Sequence, residues 1–548
     1  MNFEGLNIEG DISVNESDLA LHSRDASIFS VRPEAVVYPK NLADVGEIVK
    51  WVSGQKSSQP GLSLTARAAG TDMSGGPLNE SIILDTTKYL NHIIEIGEDW
   101  AITEPGAYYR DFEKAAAEKG LLFPSYPASK DICAMGGIVN NNAGGEKSLA
   151  YGKTERYVRE VSMVLSDGNE YMFGPLTMAE LEAKKTQQNF EGQIYREMHA
   201  LIEQNYDAIQ KAKPDVSKNS AGYYLWNVYD KENGLFDLTK LFVGAQGTLG
   251  IMTKAKLGLI KPKKYSKLLV VFLKDLTSLG ELVNEVLKYK PETFECYDDQ
   301  TLKIAVHFLP SLMKQLKGGI FSTFLKFLPE AGMVIAGGVP KLVLIAQFTG
   351  DDEPETSERL AGAMSAIKNF PEIQSHGIHK IEDAAEGDKY WLIRRESFNI
   401  LRHHAGVKHT APFIDDVIVH PAQLPQFLPR LNELISQYKG LTYTIAGHAG
   451  DANFHVIPLM DFSKEENRRA IPELSEKVYD LVASMHGSIT AEHNDGIIRT
   501  PYLAKMYSLE IIELFKKTKN IFDPQNIFNP GKKVGGTLEY ALEHIITG

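Results

Sequence analysis

After Asn41 the apolar positions Leu42, Val45, Ile48, Val49 and Val52 fall on one face of a 3.6-residue period. Asn41 stands where a side chain can cap the first turn, so a helix is predicted to begin there. The run ahead of it, Arg32-Pro33-Glu34-Ala35-Val36-Val37-Tyr38-Pro39, reads as a short strand ended by proline, and Leu62-Ser63-Leu64-Thr65-Ala66 reads as another. Further strands are predicted at 81–85, 101–106 and 161–165, the last followed by the hairpin turn Ser166-Asp167-Gly168. Residues 111–119 form a helical pattern stopped by Gly120, and 178–240 is polar and helical. Residues 1–30 are acidic and weakly patterned, which places the onset of order near Arg32. Lys261-Pro262-Lys263-Lys264 reads as a linker. Beyond it the pattern restarts, with strands at 268–273 and 342–348, helices at 279–287 and 358–368, and a helix opening at Tyr390, which makes a second α+β unit. Late in the chain, 441–445 and 456–459 are strand-like on either side of a Gly/Asp/Asn turn.

A chain of 548 residues exceeds one core, and 43% hydrophobic with 24% charged residues is ordinary for a globular protein. The net charge of -13 argues against a nucleic-acid partner. Cys133 and Cys296 are the only cysteines. They build neither a disulfide framework nor a four-cysteine cluster, so any electrons handled must leave to an external acceptor. The start of the chain has no basic and apolar leader pattern, and no run of about 20 apolar residues follows, so a cytoplasmic protein is expected. Residues 308–340 are apolar but broken by lysines and glycines. They read first as a cap subdomain or a homodimer contact. The alternative is a peripheral contact with the inner face of a membrane, where a quinone pool lies.

Chemistry concentrates in the late turn. Gly447-His448-Ala449-Gly450-Asp451-Ala452-Asn453-Phe454-His455 puts an imidazole near the inner end of each strand, and Ala491-Glu492-His493-Asn494-Asp495-Gly496 adds a carboxylate and a third imidazole. Two imidazoles and a carboxylate are a common set for a divalent transition metal with open positions. Earlier, the loop 67–76 follows a strand and is rich in small residues, which lets backbone N–H groups form a nest for phosphate. The run 133–145 holds three asparagines and four glycines around Met135, Ile138 and Val139. It is predicted to be irregular rather than helical, wrapping a flat ligand with main-chain hydrogen bonds. Tyr151-Gly152-Lys153-Thr154 imitates the end of a P-loop, but Lys147 occupies the position of the required glycine. Arg394 or Arg395, in a turn anchored by Trp391 and Ile393, suits bidentate capture of a carboxylate.

Five runs occur together and in order: 67–76, 133–145, the glycine-bearing 244–251, 447–455, and Glu492-His493 with the turn-rich ending Asn529-Pro530-Gly531-Lys532. In this the chain resembles the flavin-dependent 2-hydroxyacid dehydrogenases of the vanillyl-alcohol oxidase/PCMH superfamily, in the group of D-lactate dehydrogenase, glycolate oxidase catalytic subunit and D-2-hydroxyglutarate dehydrogenase. The resemblance runs from about Pro33 to Lys532. It implies an α+β fold with a PCMH-type FAD-binding domain of two α+β subdomains (1–262). An α+β substrate or cap domain carrying metal and catalytic residues follows (263–500), and a C-terminal segment (501–548) packs back on the FAD domain. It assigns to FAD the residues Arg67, Ala69, Gly70, Thr71, Asp72, Ser74, Gly75, Pro127, Ala134, Gly137, Asn141, Asn142, Ala143, Gly144, Gly152, Gly247, Ile251 and Asn529. With no His or Cys in 67–76, non-covalent FAD is expected. The metal-using branch implies zinc or a similar ion on His448, His455 and Glu492, His493 as proton acceptor, and Arg394 as carboxylate clamp. Departures from the family pattern are Gln246, Phe398, Ala452 and Asn494-Asp495.

The implied activity is oxidation of a D-2-hydroxy acid, D-lactate foremost, to the 2-oxo acid, with electrons passed to a quinone or similar acceptor. Three alternatives stay open: an oxidase that uses oxygen, a metallohydrolase that uses only the His/His/Glu set, and a flavin-binding protein without catalysis.

Overall fold

The computed structural model describes residues 1, 3–307, 338–382, 386–395, 408–438 and 441–547. Most of the 308–340 stretch and Phe398 lie outside the described residues.

The helix Leu42–Gln55 forms where the period places it. Asn41 caps it by accepting the Asp44 backbone N–H at 3.0 Å, a contact worth about 0.5–2 kcal/mol. Its Val45, Ile48, Val49 and Val52 are fully buried against Val37, Leu64, Ile82 and Leu84. Those four residues belong to a four-stranded sheet ordered Asp11–Ser13, Ala35–Tyr38, Ile82–Asp85, Leu64–Arg67. A second, antiparallel sheet of five strands has Ile251–Gly258 at its centre, between Trp100–Thr103 and Val158–Val164. These two sheets carry the loops that build the site.

The second half is an eight-stranded antiparallel sheet. Its strand Tyr265–Leu273 is apolar at nearly every inner position because both faces are covered. Leu269, Val271 and Leu273 pack with the helices Leu279–Leu287 and Glu353–Ile367, while Leu268, Val270 and Phe272 meet Tyr390, Trp391 and Ile393. Each such side chain contributes about 1.5–3 kcal/mol of burial. The chain then returns to the first half. Leu514, Phe515 and Phe522 of the helix Leu509–Phe522 enter the core around Tyr109 and Phe242, and Leu64 N–H donates to the Ile527 carbonyl at 2.7 Å. Among the described residues, no helix is long and apolar enough to cross a membrane.

Two expectations are corrected. Order begins before Arg32: the strand Asp11–Ser13 pairs with Ala35–Tyr38, and the helix Glu16–His22 buries Leu19 and His22. The glycine- and asparagine-rich run is in part helical, over Met135–Asn141. Gly136 allows this by lying against Pro105, where a Cβ would come within 2.7 Å. The helix ends after two turns because Asn142 adopts a left-handed conformation at φ 50°.

Candidate active site

The strand Leu64–Arg67 feeds the first loop. Arg67 Nη2 donates to the Arg24 carbonyl at 2.7 Å, which makes the N-terminal segment a wall of the site. Gly70 sits at φ +67°, and a Cβ there would strike the Arg67 guanidinium, so the position demands glycine. Asp72 closes the loop. Its Oδ2 accepts from the backbone N–H of Ser74 (3.0 Å) and Gly76 (2.7 Å) and from Ser74 Oγ (2.7 Å), and its Oδ1 accepts from Asn141 Nδ2 (2.9 Å). Gly75 N–H donates to Asp25 at 3.1 Å. The backbone donors of residues 74–76 are therefore occupied within the protein, and any phosphate nest falls to residues 69–73. Burial and the neighbouring Asp72 push the Asp25 carboxyl up to about 7.

Arg67, Ala69, Gly70, Thr71 and Asp72 line a cavity of about 880 Å³ together with Pro127, Ala134, Gly137, Asn141, Ala143, Gly144 and Gly247. That is the size of a site for a large ligand. Gly137 has open space where a Cβ would stand. The other residues assigned to FAD stand behind this wall. Ser74 and Gly75 shape the first loop, and Asn142 accepts the Glu155 N–H at 3.0 Å. Gly152 takes φ +76°, and Ile251 is buried with Val164 and Leu84. Asn529 Nδ2 donates to the carbonyls of Gly76 (2.9 Å) and Gln246 (2.6 Å), and its Oδ1 accepts from Thr65 Oγ1 (2.9 Å). Asn529 thus ties the chain end to two cavity loops. Asn529→Ala leaves those buried groups unpaired at about 1–3 kcal/mol each. We expect FAD affinity to fall at least about tenfold, read by flavin fluorescence on dilution, since 1.4 kcal/mol is a factor of 10. Unchanged retention of flavin would show the tie to be dispensable.

The same cavity reaches the histidines. The strands Thr442–His448 and Asn453–Met460 pair directly, joined by Ala449–Asp451 and by Ala452 at φ 55°. His448 and His455 come together with ring centres 5.2 Å apart, and His493 stacks on His455 at 5.0 Å and 14°. Glu492 Oε2 lies 3.2 Å from His448 Nε2. Arg394, His448, His455, Glu492 and His493 all line the cavity. Gly144 links the two ends, because a Cβ there would meet Glu492 Oε1 at 2.8 Å.

Carboxylates underlie the rings. Glu295 Oε1 lies 2.6 Å from His448 Nδ1, and Asp415 reaches His455 Nδ1 at 2.9 Å and His493 Nδ1 at 2.8 Å. The Nδ1 hydrogen bonds of His448 and His455 direct their Nε2 atoms elsewhere, as in carboxylate–histidine–metal arrangements, while the approach of Asp415 to His493 is an ion-pair contact. Burial disfavours charge on His448, but Glu295 and Glu492 outweigh it and raise its pKa to about 9. Burial is likewise outweighed at His493 by Asp416 and Asp415, again to about 9. His455 is lowered, by burial first. Burial would raise Glu492, but His448 and Lys218 hold it well below the usual carboxylate range. The cluster therefore stabilises positive charge, whether protons or a metal ion, and its donor set fits a divalent cation.

Asp416, His455, Glu492 and His493 place one ligand atom each within 4.8 Å of one another. Asp416 is engaged as a brace: its Oδ2 accepts the N–H groups of Glu492 (2.8 Å) and His493 (2.7 Å), and its Oδ1 accepts Asn453 Nδ2 (3.1 Å). This set and the sequence-derived one share His455 and Glu492, and differ in His448 against Asp416 and His493.

Sequence reasoning missed Glu295, Asp415, Asp416 and Lys218. Two acids inside the apolar run 411–419 were the available signal for Asp415 and Asp416. Lys218 sits in a polar stretch with none. Arg394 Nε donates to Glu295 Oε2 at 3.0 Å, and Arg395 pairs with Glu146 at 2.6 Å.

The chain is similar to known proteins over most of its length. The family model described as FAD binding domain matches residues 33–173, and that described as FAD linked oxidases, C-terminal domain, matches 262–533. The chain is 27% identical over 530 residues to D-2-hydroxyglutarate dehydrogenase of Escherichia coli, covering 95% of this chain and 50% of that protein. It thus spans about half the length of that relative. It is 26% identical over 504 residues to D-lactate dehydrogenase of Archaeoglobus fulgidus, covering 91% of each. The solved structure of p-cresol methylhydroxylase shares the fold, with TM-score 0.67, 15% identity, and 96% and 94% of the two chains covered. On this evidence the chain belongs to the FAD-linked oxidases of the vanillyl-alcohol oxidase/PCMH flavoprotein superfamily, in the group of D-2-hydroxyglutarate dehydrogenases, glycolate oxidase subunits and D-lactate dehydrogenases.

Proposed function

We propose that the protein oxidises a D-2-hydroxy acid, D-lactate or D-2-hydroxyglutarate, to the 2-oxo acid and passes the electrons to a quinone or a similar external acceptor. One observation carries this reading: a single cavity is lined at one end by the loops of the FAD-binding domain and at the other by His448, His455, Glu492 and His493. When bound, FAD supplies a hydride acceptor, and a divalent cation such as zinc supplies Lewis acidity at the substrate hydroxyl.

The chain's own groups do the rest. His448, His455 and Glu492 are the metal ligands in this reading. Arg394, directed by Glu295, anchors the substrate carboxylate. His493 takes the hydroxyl proton. With no cation beside it His493 holds its proton to about 9, and a nearby positive charge lowers that value. A metallohydrolase would leave the other end of the cavity without an occupant. FAD without a covalent bond and cytoplasmic residence, with at most peripheral membrane contact, belong to the same proposal.

The test is the visible spectrum of the purified protein under anaerobic conditions. We expect a flavin spectrum that bleaches with D-lactate or with D-2-hydroxyglutarate, and whichever bleaches it faster is the better substrate. A flavin that no 2-hydroxy acid bleaches would reduce the reading to flavin binding. Reoxidation by air as fast as by a quinone analogue would favour the oxidase.

A further inference from the structure

The strand Thr293–Asp298 lies inside the eight-stranded sheet, paired with Leu342–Gly350 on one side and Thr442–His448 on the other. The register sets Cys296 opposite Gly447, so Glu295 stands opposite His448. Strand alternation sends Phe294 and Cys296 into one core, while Tyr297 joins Tyr390, Trp391 and Ile393 on the other face. Glu295 shares the face of Tyr297, which is the face covered by the helical residues 386–395 that carry Arg394. At 1% exposure a carboxylate is costly unless paired. Here each oxygen has its own partner: Oε1 lies 2.6 Å from His448 Nδ1, and Oε2 accepts Arg394 Nε at 3.0 Å.

We infer that Glu295 is a positioning residue that couples the metal site to the substrate anchor, one carboxylate fixing both the ring of His448 and the guanidinium of Arg394. This rests on the roles proposed above for those two residues. A carboxylate accepts at both oxygens, so it can hold two N–H donors at once. It keeps the proton of His448 on Nδ1 and leaves Nε2, 3.2 Å from Glu492, for a metal. A plain staple between helix and sheet is the competing explanation. Arg395 offers the comparison: it makes two hydrogen bonds to Glu146, at 2.6 and 3.0 Å, from the neighbouring helix position.

The experiment is Zn²⁺ titration of the metal-stripped, FAD-loaded protein against a competing chelator. Glu295→Gln keeps the shape but presents one acceptor and one donor, so it cannot accept from both partners. We expect its Zn²⁺ affinity to fall about 10- to 100-fold, as loss of an outer-shell carboxylate does, with a raised KM for the 2-hydroxy acid and an unchanged flavin content and spectrum. Glu146→Gln should keep the wild-type Zn²⁺ affinity. If Glu295→Gln does not fold, Glu295→Asp decides. It retains the charge, draws the oxygens back by one methylene, and should weaken Zn²⁺ binding by an intermediate factor. Wild-type Zn²⁺ affinity in the folded Glu295 variants, or an equal loss in Glu146→Gln, would overturn the inference alone. A wild-type protein that takes up no Zn²⁺ would overturn the metal-site reading and this inference with it.

Discussion

His493→Ala should leave FAD bound and slow its reduction by a 2-hydroxy acid by about 10²- to 10⁴-fold, the range a positioned general base contributes. The ring is set from three sides. It stacks on His455, its Nδ1 lies 2.8 Å from Asp415, and its backbone N–H donates to Asp416 at 2.7 Å. None of these contacts reaches the loops at the other end of the cavity. The next residue keeps its own tie, as Asn494 Nδ2 donates to the Gly244 carbonyl at 2.9 Å. Flavin content therefore reports folding, and the rapid-mixing reduction rate reports the base. Zinc content separates the two candidate roles: a base can be lost with the metal retained, whereas a ligand takes the metal with it. The pH dependence carries a second signature. Reduction should rise with pH as His493 loses its proton, with the rise displaced below about 9 in zinc-loaded protein. An unchanged reduction rate in His493→Ala would remove this residue from proton transfer.

The parts of this site that could be read along the chain are those whose partners lie close in sequence. His448 and His455 are legible because a tight turn between two strands brings them together. Glu295 is 153 residues from His448, and Lys218 is 274 from Glu492, so nothing local announces either contact. The fold divides in the same way. The helix after Asn41 and the strands Tyr265–Leu273 and Leu342–Gly350 show because their burial is periodic or continuous. The strand Asp11–Ser13 has two of its three residues exposed, and the helix Glu16–His22 buries only Leu19 and His22, so neither leaves a pattern. The helix Met135–Asn141 runs against the poor helix propensity of glycine and asparagine. Contacts outside it decide the matter: the backbone N–H groups of Met135 and Gly136 donate to the carbonyls of Ala107 (2.8 Å) and Pro105 (2.7 Å), and Gly136 lies against Pro105.

Lys218→Met should produce the largest loss of stability among the substitutions considered. Lys218 comes from the first half of the chain, and 1% of its side chain is exposed. Its Nζ lies 2.6 Å from Glu492 Oε1 and 2.9 Å from Asp451 Oδ2. Burial alone would lower its pKa, but Asp451 and Glu492 hold it above the ordinary lysine value. Methionine fills the space and removes the charge, leaving two buried carboxylates short of a cation. Glu492 keeps His448, and Asp451 keeps Ser217 Oγ at 2.6 Å, but breaking a buried pair on one side costs about 3–5 kcal/mol. For a folding unit of 150–250 residues, 1 kcal/mol moves Tm by about 2–4 °C, so the unfolding midpoint should drop by roughly 6–20 °C. The cause can be isolated. Lys218→Met with Asp451→Asn removes one of the orphaned charges and should recover part of the loss, a coupling of about 0.5–3 kcal/mol. Zinc should stabilise Lys218→Met more than wild type, because a cation at Glu492 replaces the missing one. A midpoint within about 1 °C of wild type would mean that water or a rearranged loop already serves these carboxylates. A full loss that neither the second substitution nor zinc relieves would assign the stability to packing of the aliphatic stem rather than to charge.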